Sequence, residues 1–224
     1  MALSFVQGTG NTSGSANSIA RAFVSNVSVG NRIVVAITTY YITTNPVTSV
    51  TDNLGNTYTL VNSNNSTGYG WYVHIYSAPV TTGGACTVTV NLTDSLQVGL
   101  AIAESAGNST SVDVSNNAGP TYSTTPQVGL SPTVENIIFA VSAGNWSSSP
   151  TVTPDSGWTQ IYENENWATM VISFIYRIVP SGSATAGWTL SLTQYWSAVA
   201  GGFREAAGGG GAKFPTPHLY WSEA

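Results

Sequence analysis

The stretch WYVHIYSAPVTTGGACTVTVN, residues 71–91, reads as strand, turn and strand. Aromatic and β-branched residues fill WYVHIY and apolar and polar residues alternate through CTVTVN, while Pro79, Gly83 and Gly84 break the run between them. About 100 residues later MVISFIYRIVPSGSATAGWTLSLT, residues 170–193, follows the same order. Working outward, NRIVVAI (31–37) lies opposite ENIIFAV (135–141), TDNLGNTYTLV (51–61) opposite PDSGWTQIYE (154–163), and GLAIAESAG (99–107) opposite SAVAGGFRE (197–205). In this alignment His74 takes the place of Phe174. Nothing carries the i, i+3, i+4 spacing of an amphipathic helix.

These runs predict an all-β fold, an antiparallel β-sandwich of jelly-roll type with internal pseudo-duplication. The pseudo-repeats cover about 30–106 and 134–205, within one domain spanning 1–207. Residues 107–133 between them are polar and read as a crossover of loop and strand. Residues 208–211 are four glycines that act as a hinge for an arm, 212–224, rich in aromatics and proline. Phe214, His218, Leu219, Tyr220 and Trp221 are its anchors, expected to pack on this subunit or a neighbouring one by filling pockets or adding to a sheet edge.

Only 7% of the 224 residues are charged, far below the quarter or so that is usual. Solubility therefore rests on Ser, Thr, Asn and backbone amides. Five Lys and Arg stand singly at Arg21, Arg32, Arg177, Arg204 and Lys213, against ten Asp and Glu. Nucleic-acid binding needs clustered cations and is excluded. The apolar runs are too short and too often interrupted to insert into a membrane. A single cysteine, Cys86, excludes an intrachain disulfide and a thiolate metal cluster, and its strand-like setting suits a small buried hydrophobe. MALSFVQGTG carries no recognisable signal peptide, and the chain is expected in an extracellular or virion-associated setting.

Asp52 and Asp155 each precede a glycine-containing turn. An Asp there accepts hydrogen bonds from amides two and three residues on, and both read as hairpin corners that recur because the strand framework recurs. No cofactor is expected. Asp52, Glu163 and Glu165 are the oxygen donors a calcium ion would have available. Two histidines, His74 and His218, without a third nitrogen or thiolate do not make a zinc site. No GxSxG elbow is present. The sequence thus points away from an enzyme. Among the aromatics, Trp146 in GNWSSSP and Trp167 in NENWAT look loop-borne, with Tyr41 and Tyr69 as their repeat partners. Such positions suit stacking against sugar rings.

VGNRIVVAITTYY, PVTSVTDNLGNTYTLV, YSAPVTTGGACTVTVN and AVAGGFRE together resemble a diffuse set of Ser/Thr/Gly-rich β-sandwich proteins of bacterial, phage and environmental genomes. The likeness covers roughly residues 3–205, and the arm departs from it. It implies surface, adhesion-like or virion-associated structural roles. The leading expectation is a non-enzymatic structural protein that assembles into a homo-oligomer or polymer, as a filament, lattice or virion component. The alternative is a lectin-like module that binds glycans through Trp146, Trp167, Tyr69 and Tyr41.

Overall fold

The computed structural model describes residues 2–40, 44–66, 68–109, 111–144, 150–164 and 171–206. Among them every regular element is a strand. The first half holds β1 (Ser4–Ala22), β2 (Arg32–Tyr40), β3 (Val47–Asp52), β4 (Thr59–Ser66), β5 (Trp71–Pro79) and β6 (Thr87–Ala106). The second holds β7 (Val114–Ser123), β8 (Gln127–Leu130), β9 (Asn136–Ala143), β10 (Val152–Pro154), β11 (Thr159–Asn164), β12 (Ile172–Val179), β13 (Ala184–Leu190) and β14 (Gln194–Arg204). All pairings are antiparallel.

One sheet runs β1-β6-β2-β5-β4, with β3 also on β6; a second runs β11-β12-β9-β14-β7, and a third β10-β13-β8. The two halves share this order. In the first, β6 is long enough to serve twice: residues 96–106 pair with β2 and the start of β1, and residues 87–92 with β3 and the end of β1. In the second half these tasks are divided among β14, β7, β13 and β8. The polar segment 107–133 therefore supplies two strands, and β1 is their counterpart in the first half.

The runs IVVAI and IIFAV are apolar without alternation because β2 and β9 are buried on both faces. Ile33, Val35 and Ile37 point into a cluster belonging to the first half, together with Val88, Val90, Leu100 and Ile102. Ile138 and Ala140 point into the second half's own cluster with Ile175, Trp188 and Ala200. The opposite faces meet in a third cluster shared by both halves, which includes Val34, Ala36, Ile75, Ala101, Phe139, Val141, Phe174 and Val199.

This shared cluster fixes how the halves correspond. Across the first sheet, Gly10, Ala101, Ala36, Ile75 and Asn62 stand in one row. The equivalent row of the second is Asn117, Val199, Val141, Phe174 and Tyr162. Row ends meet across the interface: Tyr162 lies against Gly10, and Asn117 Nδ2 donates to Asn62 Oδ1 at 3.2 Å. Exchanging the halves turns one contact into the other, since β1 corresponds to β7 and β4 to β11 in strand order. Two alignments read from the sequence shift by one residue as a result. Ile33 corresponds to Ile138 rather than Ile137, and Phe174 to Ile75 rather than His74. Because side chains alternate faces along a strand, each one-residue slip turns a residue to the wrong core.

A methyl group on Gly10 has no room beneath the Tyr162 ring. Gly10→Ala is expected to cost about 2 kcal/mol from overpacking. In a Tyr162→Ala background the same change is expected to cost under about 0.5 kcal/mol, since the clash is gone. Urea melts of the four proteins measure this coupling, and equal costs in both backgrounds would exclude the contact as the cause.

Candidate functional site

The two aspartate corners differ from the hairpins expected of them. β3 pairs with β6 and β4 with β5, so Asp52 ends a strand whose successor belongs to another pairing. Its carboxylate organises this passage. Oδ1 accepts from the amides of Leu54 (2.9 Å) and Asn56 (3.1 Å), and Oδ2 from Asn56 Nδ2 (2.9 Å), Tyr58 Oη (2.8 Å) and Cys86 Sγ (3.7 Å). Asn56 Oδ1 in turn accepts from the Thr81 amide at 2.8 Å, tying the corner to the turn after β5. Burial alone would raise the Asp52 carboxyl. The hydrogen bonds from Asn56, Tyr58 and the backbone outweigh it and hold the group below the usual carboxylate range. Burial, then the Asp52 charge, pushes the Cys86 thiol up to about 12, so it stays protonated.

Asp155 repeats the chain path without the network. Its amide donates to Gly187 O at 2.9 Å, its carbonyl accepts from the Trp158 amide at 3.1 Å, and its carboxylate takes a long 3.4 Å contact from Thr189 Oγ1. Asp52 borders the first half's cluster, through Leu54 and Tyr58, and Asp155 borders the second's, through Trp158. The structure does not bring the two carboxylates together.

The calcium candidates are also apart. Glu163 lies on β11 in register with Ser173, away from the Asp52 corner, and Glu165 is outside the described residues. Among the described residues no three His, Cys, Asp or Glu side chains gather as a metal site would require. No described helix is long and apolar enough to cross a membrane.

Of the aromatic candidates, Tyr69 is described, while Trp146, Trp167 and Tyr41 lie outside the described residues, as do the arm positions Phe214, His218, Leu219, Tyr220 and Trp221. Tyr69 sits in the turn between β4 and β5. The amides of Tyr69 and Gly70 both donate to Ser66 O, at 2.8 and 2.9 Å, and Gly70 takes the left-handed conformation that closes so tight a turn, with φ 78°. The turn sets Tyr69 against Tyr195 of the second half, which in turn packs on Tyr122. The Tyr69 ring centroid is 4.4 Å from that of Tyr195, and Tyr195 is 4.7 Å from Tyr122, its cross-strand partner on β7. Behind them the buried Trp71 lies 5.2 Å from Tyr69 and donates Nε1 to Ser197 Oγ at 3.1 Å.

The result is a row of rings, Tyr122, Tyr195 and Tyr69, anchored on a buried indole. They remain 59%, 38% and 39% exposed after packing together. A hydrogen bond with the Tyr195 phenol holds the Tyr69 phenol above its ordinary pKa. Beneath the rings the buried Ser66 and Ser197 share a 2.6 Å hydrogen bond, and Ser197 also accepts from the Trp71 indole. The corresponding place on β6 is Gln97, so the fold itself does not call for an aromatic here. The sequence showed Tyr69 as loop-borne. Tyr122, within a polar crossover, and Tyr195, beside a core tryptophan, gave no local signal, since only long-range pairing brings them together.

His74 belongs to the core. It is 1% exposed, neither ring nitrogen has a partner, and Tyr72 and Tyr76 flank it on the same face of β5, with Ser63 and Ile37 beside it on the adjoining strands. Burial lowers its pKa from 6.5 to about 4. Between those values the unfolded chain binds a proton that the folded one refuses. Stability from this group is complete above pH 6.5, falls by about 3 kcal/mol as pH drops to 4, and is level below that. His74→Leu is expected to remove this loss. Urea melts from pH 7 to 4 give the difference between the two proteins, and parallel profiles would rule the histidine out as its source.

Set against known proteins, the chain matches no family model, no curated protein and no solved structure.

Proposed function

We propose that this chain is a non-enzymatic module, built as two β-sandwich units sharing a central contact, that binds a carbohydrate on the tyrosine corner. The repeated strand order stands in this reading where the sequence led us to expect a single jelly roll. The observation that carries the function is the row Tyr122, Tyr195 and Tyr69, exposed and packed as tilted rings around Tyr195, whose place in the other half is taken by Gln97. Aromatic faces fixed by their neighbours lose little entropy when a sugar ring stacks on them, and their phenol hydroxyls supply hydrogen bonds. The non-enzymatic part rests on Asp52, whose oxygens are occupied by structural donors.

Titration of the protein with a panel of soluble oligosaccharides, followed by calorimetry, tests the reading. Tyr195→Ala and Tyr69→Ala are each expected to weaken binding by about 2 kcal/mol, roughly thirtyfold. No binding by the wild-type protein across neutral and acidic glycans sinks it.

Self-assembly is the second reading, supported by the low charge: a net −5 over 224 residues leaves little repulsion between copies. Sedimentation over a range of concentrations decides it. A sedimentation coefficient that rises with concentration is expected, and a constant monomer value removes the reading while leaving the glycan reading intact.

A further inference from the structure

Arg32 begins β2 and is only 3% exposed. Its Nη1 donates to Ser77 Oγ at 2.9 Å, its Nη2 to the carbonyl of Ser109 at 2.6 Å, and its Cζ lies 4.5 Å from the centre of the Phe203 ring. Its Nε is buried and has no partner. Among the described residues no carboxylate pairs with it; the ion pair they form is Arg204 with Asp113. Glu104, on the neighbouring strand, lies in register with Ile33 and so on the opposite face. Its oxygens are already taken by Gln7 Nε2, the Ser28 amide and Asn31 Nδ2.

A guanidinium keeps its charge at neutral pH even when burial lowers its pKa, here to about 10. A buried charge without a counter-ion is costly, and the costs are met where an anion binds. The fold does not need a cation here. By strand register Arg32 corresponds to Ile137, as Ser105 does to Phe203, and the second half fills both places with apolar side chains. Beside Arg32 lies a cavity of about 340 Å³, bounded by Val29, Asn31, Pro79, Val80 and Asn108. Its walls are held by backbone hydrogen bonds from Gly30 N to Val80 O and from Val80 N to Asn31 O, at 3.0 and 2.8 Å. The volume is within the range of small-ligand sites. Valine and proline walls favour an apolar group over a fully hydrated inorganic ion, and a guanidinium at the wall favours a carboxylate.

We propose that this cavity binds a carboxylate carried on a small apolar group, with Arg32 as its counter-ion. A short-chain organic acid and the free carboxyl end of a peptide share that chemistry. The site is independent of the tyrosine corner, which lies at the other end of β5, roughly 26 Å away by strand rise.

The test is NMR of the arginine Nε–Hε groups in the full-length protein, titrated at constant ionic strength with butyrate, acetyl-leucine, acetyl-leucine amide and sulfate. Arg21, Arg177 and Arg204 serve as internal controls. The Arg32 resonance is expected to shift saturably with butyrate or acetyl-leucine and not with the amide. The acid that saturates at the lower concentration distinguishes an organic acid from a peptide end. Arg32→Ile, which installs the second half's solution, is expected to melt at a higher temperature than the wild type and to lose the stabilisation by these acids; Arg32→Met serves if that variant does not fold. Absence of a saturable Arg32 shift with either acid, or an equal shift with sulfate, overturns the proposal, and the wild-type titration gives this answer whether or not a variant folds.

Discussion

The structure depends on one contact, the meeting of two strand-matched sheets through faces of unequal side-chain size. The middle row of the first half is small at one side, with Gly10, Ala101 and Ala36, while its counterpart carries Val199, Val141, Phe174 and Tyr162. Interiors pack at crystal-like density, so two identical faces would leave either voids or clashes. Large against small resolves this, and Tyr162 over Gly10 is its sharpest instance. The clusters on the far sides, each private to one half, need only be filled from within.

The shared contact also explains why both halves can carry so little charge and still be specific. Polar groups appear at its margins, where they fix register. Asn164 Nδ2 donates to Thr12 Oγ1 at 2.7 Å on one edge, and its counterpart Asn64 reaches Asn117 Oδ1 at 3.0 Å on the other. An amide with its hydrogen bonds unmade in a buried margin costs about 1–3 kcal/mol, so a slipped register is penalised at both edges together.

Much of this was legible in the sequence, and the limits have physical causes. Turn residues and β-branched runs identified the strands, and the order of motifs identified the halves. The unalternating IVVAI and IIFAV indicate burial on both faces, yet an apolar run without alternation holds no information about which residue faces which core. That is why the alignment slipped by one at Ile33 and at His74. The crossover of loop and strand did not reveal the bounds of β7, because VSNNAGPTYS, an edge strand with most of its side chains exposed, is polar. The Asp52 corner was half readable: TDNLGNTY contains the carboxylate and its donors Asn56 and Tyr58, but Cys86 joins them from 34 residues away. The tyrosine row and the Arg32 cavity were not readable, since each assembles residues that only the meeting of β-strands distant in sequence makes neighbours.

Halves with the same strand order give an internal reference for what the fold alone requires. Where the two copies agree in character, as at Ala36 and Val141, packing suffices as an explanation. Where they disagree at a cost, some other requirement has acted. Ile137 shows that an apolar side chain satisfies the position of Arg32, and Gln97 shows that a polar one satisfies the position of Tyr195. Each departure runs against stability or solubility: a buried cation lacks a counter-ion in one, and aromatic rings stay in water in the other. Proteins tend to accept such costs at sites that bind something. Both lie where the two halves touch at opposite ends of β5, through Arg32 and Phe203 at one end and Tyr69 and Tyr195 at the other, beyond the packed rows between them.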